Sequence, residues 1–127
     1  MRLWTQSDLH VEPRRGWDLP AADARPCFDV LVVAGDLIPR MERGVAWLRE
    51  RVPDRPVIYV PGNHESYGCD VDRTVEKAKE AAEGSKVFVL QNDAIRLGNV
   101  TSRAQLYGPT SICSATGAAR WRWRPTT

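Results

Sequence analysis

An α/β fold is predicted by three runs in the first half of the chain. Residues 28–34 (FDVLVVA) are β-branched and nearly continuous, as a strand buried on both faces requires. Met41, Val45, Leu48 and Val52 then recur at helical spacing until Pro53 stops them. Residues 57–60 (VIYV) form another apolar run, closed by Pro61-Gly62.

The remaining elements follow in order. Residues 2–6 make a short apolar-mixed strand ending at Ser7-Asp8, and the Pro-, Arg- and Asp-rich text between His10 and Phe28 reads as a surface loop. The strand at 28–34 ends at Gly35-Asp36. Val71, Val75, Ala78 and Ala82 mark a second amphipathic helix, with Gly84 as its C′ residue. Residues 86–90 (KVFVL) and 94–97 are two further strands, giving the order β-β-α-β-α-β-β.

With 127 residues, the chain is one domain or part of one, and 43% hydrophobic against 27% charged residues is the balance of a soluble globular protein. The longest unbroken apolar run, residues 30–34, is far short of a membrane span, and MRLWTQSDLH has no apolar signal-peptide core. A cytoplasmic location with no membrane partner is expected. Cys27, Cys69 and Cys113 are an odd set without C-x-x-C spacing, so they read as ordinary thiols.

Charge divides the chain. Residues 1–100 carry a net −2 and the last 27 a net +4, with no acid, Lys or His in that tail. The expected organisation is a body at 1–100 and a polar, poorly ordered tail at 101–127, without helix or strand periodicity.

Three polar clusters each follow a predicted strand: Ser7-Asp8-Leu9-His10, Gly35-Asp36 and Gly62-Asn63-His64-Glu65. In open α/β sheets, binding sites form at the carboxyl ends of strands, where neighbouring loops converge. Asp8 and His10, two apart, can present an oxygen and a nitrogen on one face. Asp36 can bridge two cations through its two oxygens, and Asn63 offers a neutral carbonyl oxygen beside His64. Such mixed donors suit Mn, Fe, Zn or Mg rather than a soft thiolate site. Singly, each cluster also reads as turn chemistry. Together they occur in order, with Asp8 and Asp36 28 positions apart and Asp36 and Asn63 27 apart, spacings that hold a βα unit.

The string SDLH…VVAGDL…VPGNHE resembles the N-terminal half of the calcineurin-like metallophosphoesterases, over roughly residues 1–100. The resemblance implies a four-layer α/β/β/α sandwich, here only its N-terminal half, and a site for two divalent metal ions. It implies that Asp8 and His10 bind the first metal, that Asp36 bridges both and that Asn63 binds the second. His64 would act as acid or charge stabiliser at the leaving oxygen, and Glu65 as a supporting residue rather than a ligand. The implied reaction is hydrolysis of a phosphate mono- or diester, the substrate partner, by a metal-activated hydroxide.

The family pattern continues with a further His and a Gly-His-x-His block. This chain has two histidines, His10 and His64, both already placed in the site, so a catalytically incomplete chain is expected. Read from the third base of each codon, with permitted wobble choices, residues 103–116 (RAQLYGPTSICSAT) become GATLWTDFDLFGD, and many relatives carry a string like GATLWTDF. The expectation is that one base was lost near codons 101–103. A rival reading from another class makes residues 120–124 (RWRWR) a basic aromatic arm for single-stranded nucleic acid or an anionic membrane surface. A third is a non-catalytic relative that binds metal weakly or not at all.

Overall fold

The computed structural model describes the backbone of residues 2–11, 18–66, 68–91, 93–98, 100–107 and 110–116. Among the described residues, seven strands and two α-helices run in the order β1 (Leu3–Gln6), β2 (Val30–Ala34), α1 (Met41–Arg51), β3 (Val57–Val60), α2 (Val71–Ala82), β4 (Val87–Val89), β5 (Asp93–Leu97), β6 (Val100–Tyr107) and β7 (Thr110–Thr116). β1–β4 form a parallel sheet in sequence order, with α1 and α2 as the connections between β2, β3 and β4. The register is set by pairs such as Thr5 with Val32 and Val32 with Ile58.

Why β2 and β3 sit at the centre is visible in their composition. All nine residues of these two strands are buried. Alternation then divides them between two cores. Leu31, Val33, Val57 and Tyr59 face α1 and α2, meeting Met41, Val45, Leu48, Val75 and Ala78. Val30, Val32, Ile58 and Val60 face the other way with Leu90, and Leu3, Ile95 and Leu97 pack against them.

The helices end for identifiable reasons. Asp70 caps α2, its side chain accepting from the Asp72 and Arg73 N–H groups. Gly84, at φ +73°, turns the chain out of α2. α1 has no side-chain cap of its own; its first amide, Met41 N–H, donates to Thr74 Oγ1 on α2 at 2.9 Å. Arg49 and Arg51 occupy the last turn of α1, where cations suit the helix dipole.

β5, β6 and β7 form an antiparallel sheet on the second face. The fold is thus mixed α/β with helices, a parallel sheet and a second sheet in layers, the N-terminal-half architecture expected from sequence. One difference is in the tail. The polar, Ser- and Thr-rich text after Thr101 shows no apolar periodicity, yet residues through Thr116 pair as strands, Arg96 opposite Thr101 and Thr101 opposite Thr116. Backbone pairing onto β5 supplies what side-chain pattern lacked, and the boundary drawn at residue 100 falls inside β6. The second face of the parallel sheet is therefore not bare. Residues 117–127, with the RWRWR run, lie outside the described residues. Among the described residues, no helix is long and apolar enough to cross a membrane.

Candidate metal centre

The loops after β1, β2 and β3 are held together by their backbones. The β1 loop extends the parallel pairing beyond the sheet: Asp8 N–H donates to Gly35 O at 3.2 Å, and His10 N–H to Asp36 O at 3.0 Å. The β2 and β3 loops meet at two glycines. A Cβ on Gly35, whose φ is +84°, would stand 3.0 Å from Gly62 Cα. A Cβ on Gly62 would stand 2.5 Å from Asp36 Oδ1. Any side chain at either position would separate the loops.

Four of the sequence-predicted residues come together at this end of the sheet. Asp8 and His10 lie 3.9 Å apart, carboxylate oxygen to Nε2. The His10 and His64 rings meet edge to face, 4.6 Å between centroids. Asp36 Oδ1 accepts the His64 backbone N–H at 2.9 Å, joining the second and third loops. Burial, followed by the neighbouring Asp36 carboxylate, holds the Asp8 carboxyl above its ordinary value. Asn63 stands apart: it is exposed, and the bonds shown for it are at its carbonyl oxygen, which accepts from Ser66 N–H and Oγ.

Backbone strain concentrates in the same place. Asp8 (φ +53°), His10 (φ +47°) and Asp36 (φ +56°) all adopt the left-handed region without being glycine. Each such residue costs about 1–3 kcal/mol and persists only where its surroundings enforce it.

Glu65 supplies much of that enforcement. It is fully buried, and its two carboxylate oxygens accept from Asp36 N–H at 3.0 Å, Leu37 N–H at 2.8 Å, Gly62 N–H at 2.9 Å and the Tyr59 hydroxyl at 3.0 Å. One side chain thus ties the β2 loop, the β3 loop and β3 itself. Burial pushes the Glu65 carboxyl up, while the Leu37 and Gly62 amides pull it back down. Burial and the Glu65 charge hold the Tyr59 hydroxyl well above its ordinary value, so it donates as a neutral phenol. Tyr59 and Gly44, against which it packs, were not singled out from sequence. The available signals were a tyrosine within an otherwise aliphatic strand and a glycine inside an amphipathic helix.

In kind, the donors suit a divalent cation: two adjacent carboxylates, one raised by the other, with an imidazole beside them. In position they stop short, because among the described residues no group of three or more His, Cys, Asp or Glu side chains could hold a metal ion. The sequence model of calcineurin-like phosphoesterases matches residues 1–118. No curated protein and no solved structure matches the chain.

Proposed function

The chain belongs to the calcineurin-like phosphoesterase family, and from that premise we propose that its site is that of a metal-dependent phosphoesterase left catalytically incomplete. The observation that carries this reading is the meeting of the Asp8–Asp36 carboxylate pair with the edge-to-face His10 and His64 rings at the carboxyl end of the parallel sheet. Asp8, His10 and Asp36 would hold a first divalent ion only once their side chains draw closer than they stand here; Asp36 and Asn63 would hold a second. When bound, such ions polarise the phosphoester and bring water's ionisation toward neutral pH.

The chain's own residues do the rest. His64 presents its imidazole beside the leaving-group oxygen and gives it a proton. Its position follows from Asp36, which fixes the His64 backbone, and from the His10 ring against which it packs. Glu65 keeps the Asp36 and Gly62 backbones at one separation, so the carboxylate and imidazole arrive together. The reading of incompleteness is supported by donor supply within these 127 residues, where both histidines are already in use.

The test pairs binding with turnover. Mn²⁺ is expected to raise the unfolding temperature of the full chain, as a ligand selective for the folded state must, and Asp36→Ala to remove the shift. Hydrolysis of bis(p-nitrophenyl) phosphate is expected to be feeble and to vanish in the same variant. Robust turnover overturns the incompleteness. No Mn²⁺ response overturns the metal site.

A further inference from the structure

We propose that the Tyr59 hydroxyl is a positioning group for the metal centre: it anchors Glu65 to the parallel sheet, and through Glu65 it sets where Asp36 stands and how tightly a divalent ion is held. The proposal rests on the metal-site reading above and goes beyond it. It places a determinant of metal affinity in the core between sheet and helix, on a residue outside the donor set.

The donors to Glu65 are of two kinds. Asp36, Leu37 and Gly62 give loop amides, and these are the groups that the carboxylate holds in place. Tyr59 differs because it belongs to β3 itself. Its backbone pairs with Val33 on one side, and on the other its carbonyl accepts Leu90 N–H at 3.0 Å. Among the described residues, loss of the hydroxyl leaves the carboxylate bonded only to the loops it has to hold.

The helix fixes the anchor from its other side. Tyr59 is fully buried, and its ring lies so close to Gly44 of α1 that a Cβ there would stand 2.9 Å from Cζ and 2.5 Å from the hydroxyl oxygen. Strand and helix thus leave the phenol oxygen one place. Glu65 Oε1 takes its hydrogen bond at 3.0 Å together with that of Leu37 N–H, which leaves Oε2 for the Asp36 and Gly62 amides.

Asp36 passes that position to the other two loops. Its N–H goes to Glu65 Oε2, its carbonyl accepts His10 N–H at 3.0 Å, and its Oδ1 accepts His64 N–H at 2.9 Å. Its backbone stands at φ +56°, a conformation that its surroundings must enforce. A shift of the Glu65 carboxylate therefore moves a carboxylate donor and the main chain of both histidines together. Groups that orient metal ligands from outside the donor set govern affinity by about 10–100-fold.

Tyr59→Phe removes the oxygen and keeps the ring. Its affinity for Mn²⁺, by titration calorimetry on the full chain, is expected to fall about tenfold. In the metal-free, ¹⁵N-labelled chain, hydrogen exchange at the His10 amide is expected to quicken, although three hydrogen bonds separate it from the missing hydroxyl. Val52→Ala is the control. It opens a cavity in the same core just past the far end of α1, and is expected to lower stability while leaving both readings at the parent's values. Gly44→Ala is a second variant, which keeps the hydroxyl but pushes it off Glu65, and a similar fall in affinity is expected. It decides the matter should Tyr59→Phe not fold. Parent-like affinity in both variants, or an equal fall in Val52→Ala, overturns the proposal. A parent chain that ignores Mn²⁺ while His10 exchange still quickens in Tyr59→Phe sinks the metal reading alone. Unchanged His10 exchange sinks the positioning role.

Discussion

A methyl carbon placed on Gly44 would lie 2.5 Å from the Tyr59 hydroxyl oxygen and 2.7 Å from its Cε2. The notch in α1 is what lets the phenol lie flat beneath the helix and reach Glu65 Oε1 at 3.0 Å. Gly44→Ala gains up to about 1 kcal/mol in helix propensity. Overpacking typically costs about 1–3 kcal/mol, so a net loss of stability is expected. The urea midpoint checks it. A rise in the midpoint would show that Tyr59 moves aside freely.

Glu65 is fully buried and faces four donors. Glu65→Ala strands three amides and a hydroxyl, each at about 1–3 kcal/mol, and is expected to prevent folding. Glu65→Gln keeps the shape but turns an NH₂ toward some of those donors. The chain is expected to fold with faster hydrogen exchange at Asp36, Leu37 and Gly62, while α2 amides keep their protection. Unchanged exchange at those three positions would mean the loops hold without the carboxylate.

Asp8 and Asp36 oppose one another when no cation lies between them, which is part of why the Asp8 carboxyl is raised. Asp8→Asn removes the repulsion and keeps a residue that tolerates left-handed backbone. In EDTA the variant is expected to be more stable than the parent by about 0.5–1 kcal/mol, given partial solvent screening. In Mn²⁺ the order should reverse. Thermal unfolding in both buffers provides the comparison, and a less stable variant in EDTA contradicts it.

Asp18 anchors the chain to α1 through Arg51, whose Nε donates to Asp18 Oδ1 at 2.5 Å. Hydrogen bonding from Arg51 holds the Asp18 carboxyl below its ordinary value. A depressed folded-state value means stability that is present above the unfolded value near 3.8 and lost as pH falls through the folded one. Asp18→Asn is therefore expected to flatten the acid limb of the stability profile below that value and leave its neutral-to-basic slope unchanged. Parallel slopes in acid for parent and variant would count against the pair.

The reading frame after Thr101 is open to direct test. Sequencing the coding DNA across codons 98–104 is expected to reveal one missing base, whose restoration encodes GATLWTDF and, downstream, Gly-His-x-His. The family match runs on to residue 118 in the frame as written. A confirmed frame removes the lost base from the account.

Sequence and structure agree where local pattern decides the outcome. β3 and α2 have the bounds that VIYV and the Val71–Ala82 spacing imply, because apolar periodicity and an Asp cap are local properties. The meeting of Asp8, His10, Asp36 and His64 was legible for another reason: parallel strands deliver their carboxyl-end loops to one place. Asn63 was read as a donor, but its exposed side chain is not determined by the turn that carries it. The Gly44–Tyr59–Glu65 chain was invisible because its three residues come from α1, β3 and the following loop, and only packing shows that they touch. β6 and β7 escaped because strand pairing onto an existing edge needs no apolar alternation.

The hydrogen bonds that hold the three loops run through main-chain atoms, the Asp36 and Glu65 carboxylates and the Tyr59 hydroxyl. The exposed Asn63 side chain stands outside them. Substitution there is therefore nearly invisible to selection for folding. A lineage with this scaffold can replace Asn63 freely while every descendant keeps the shape.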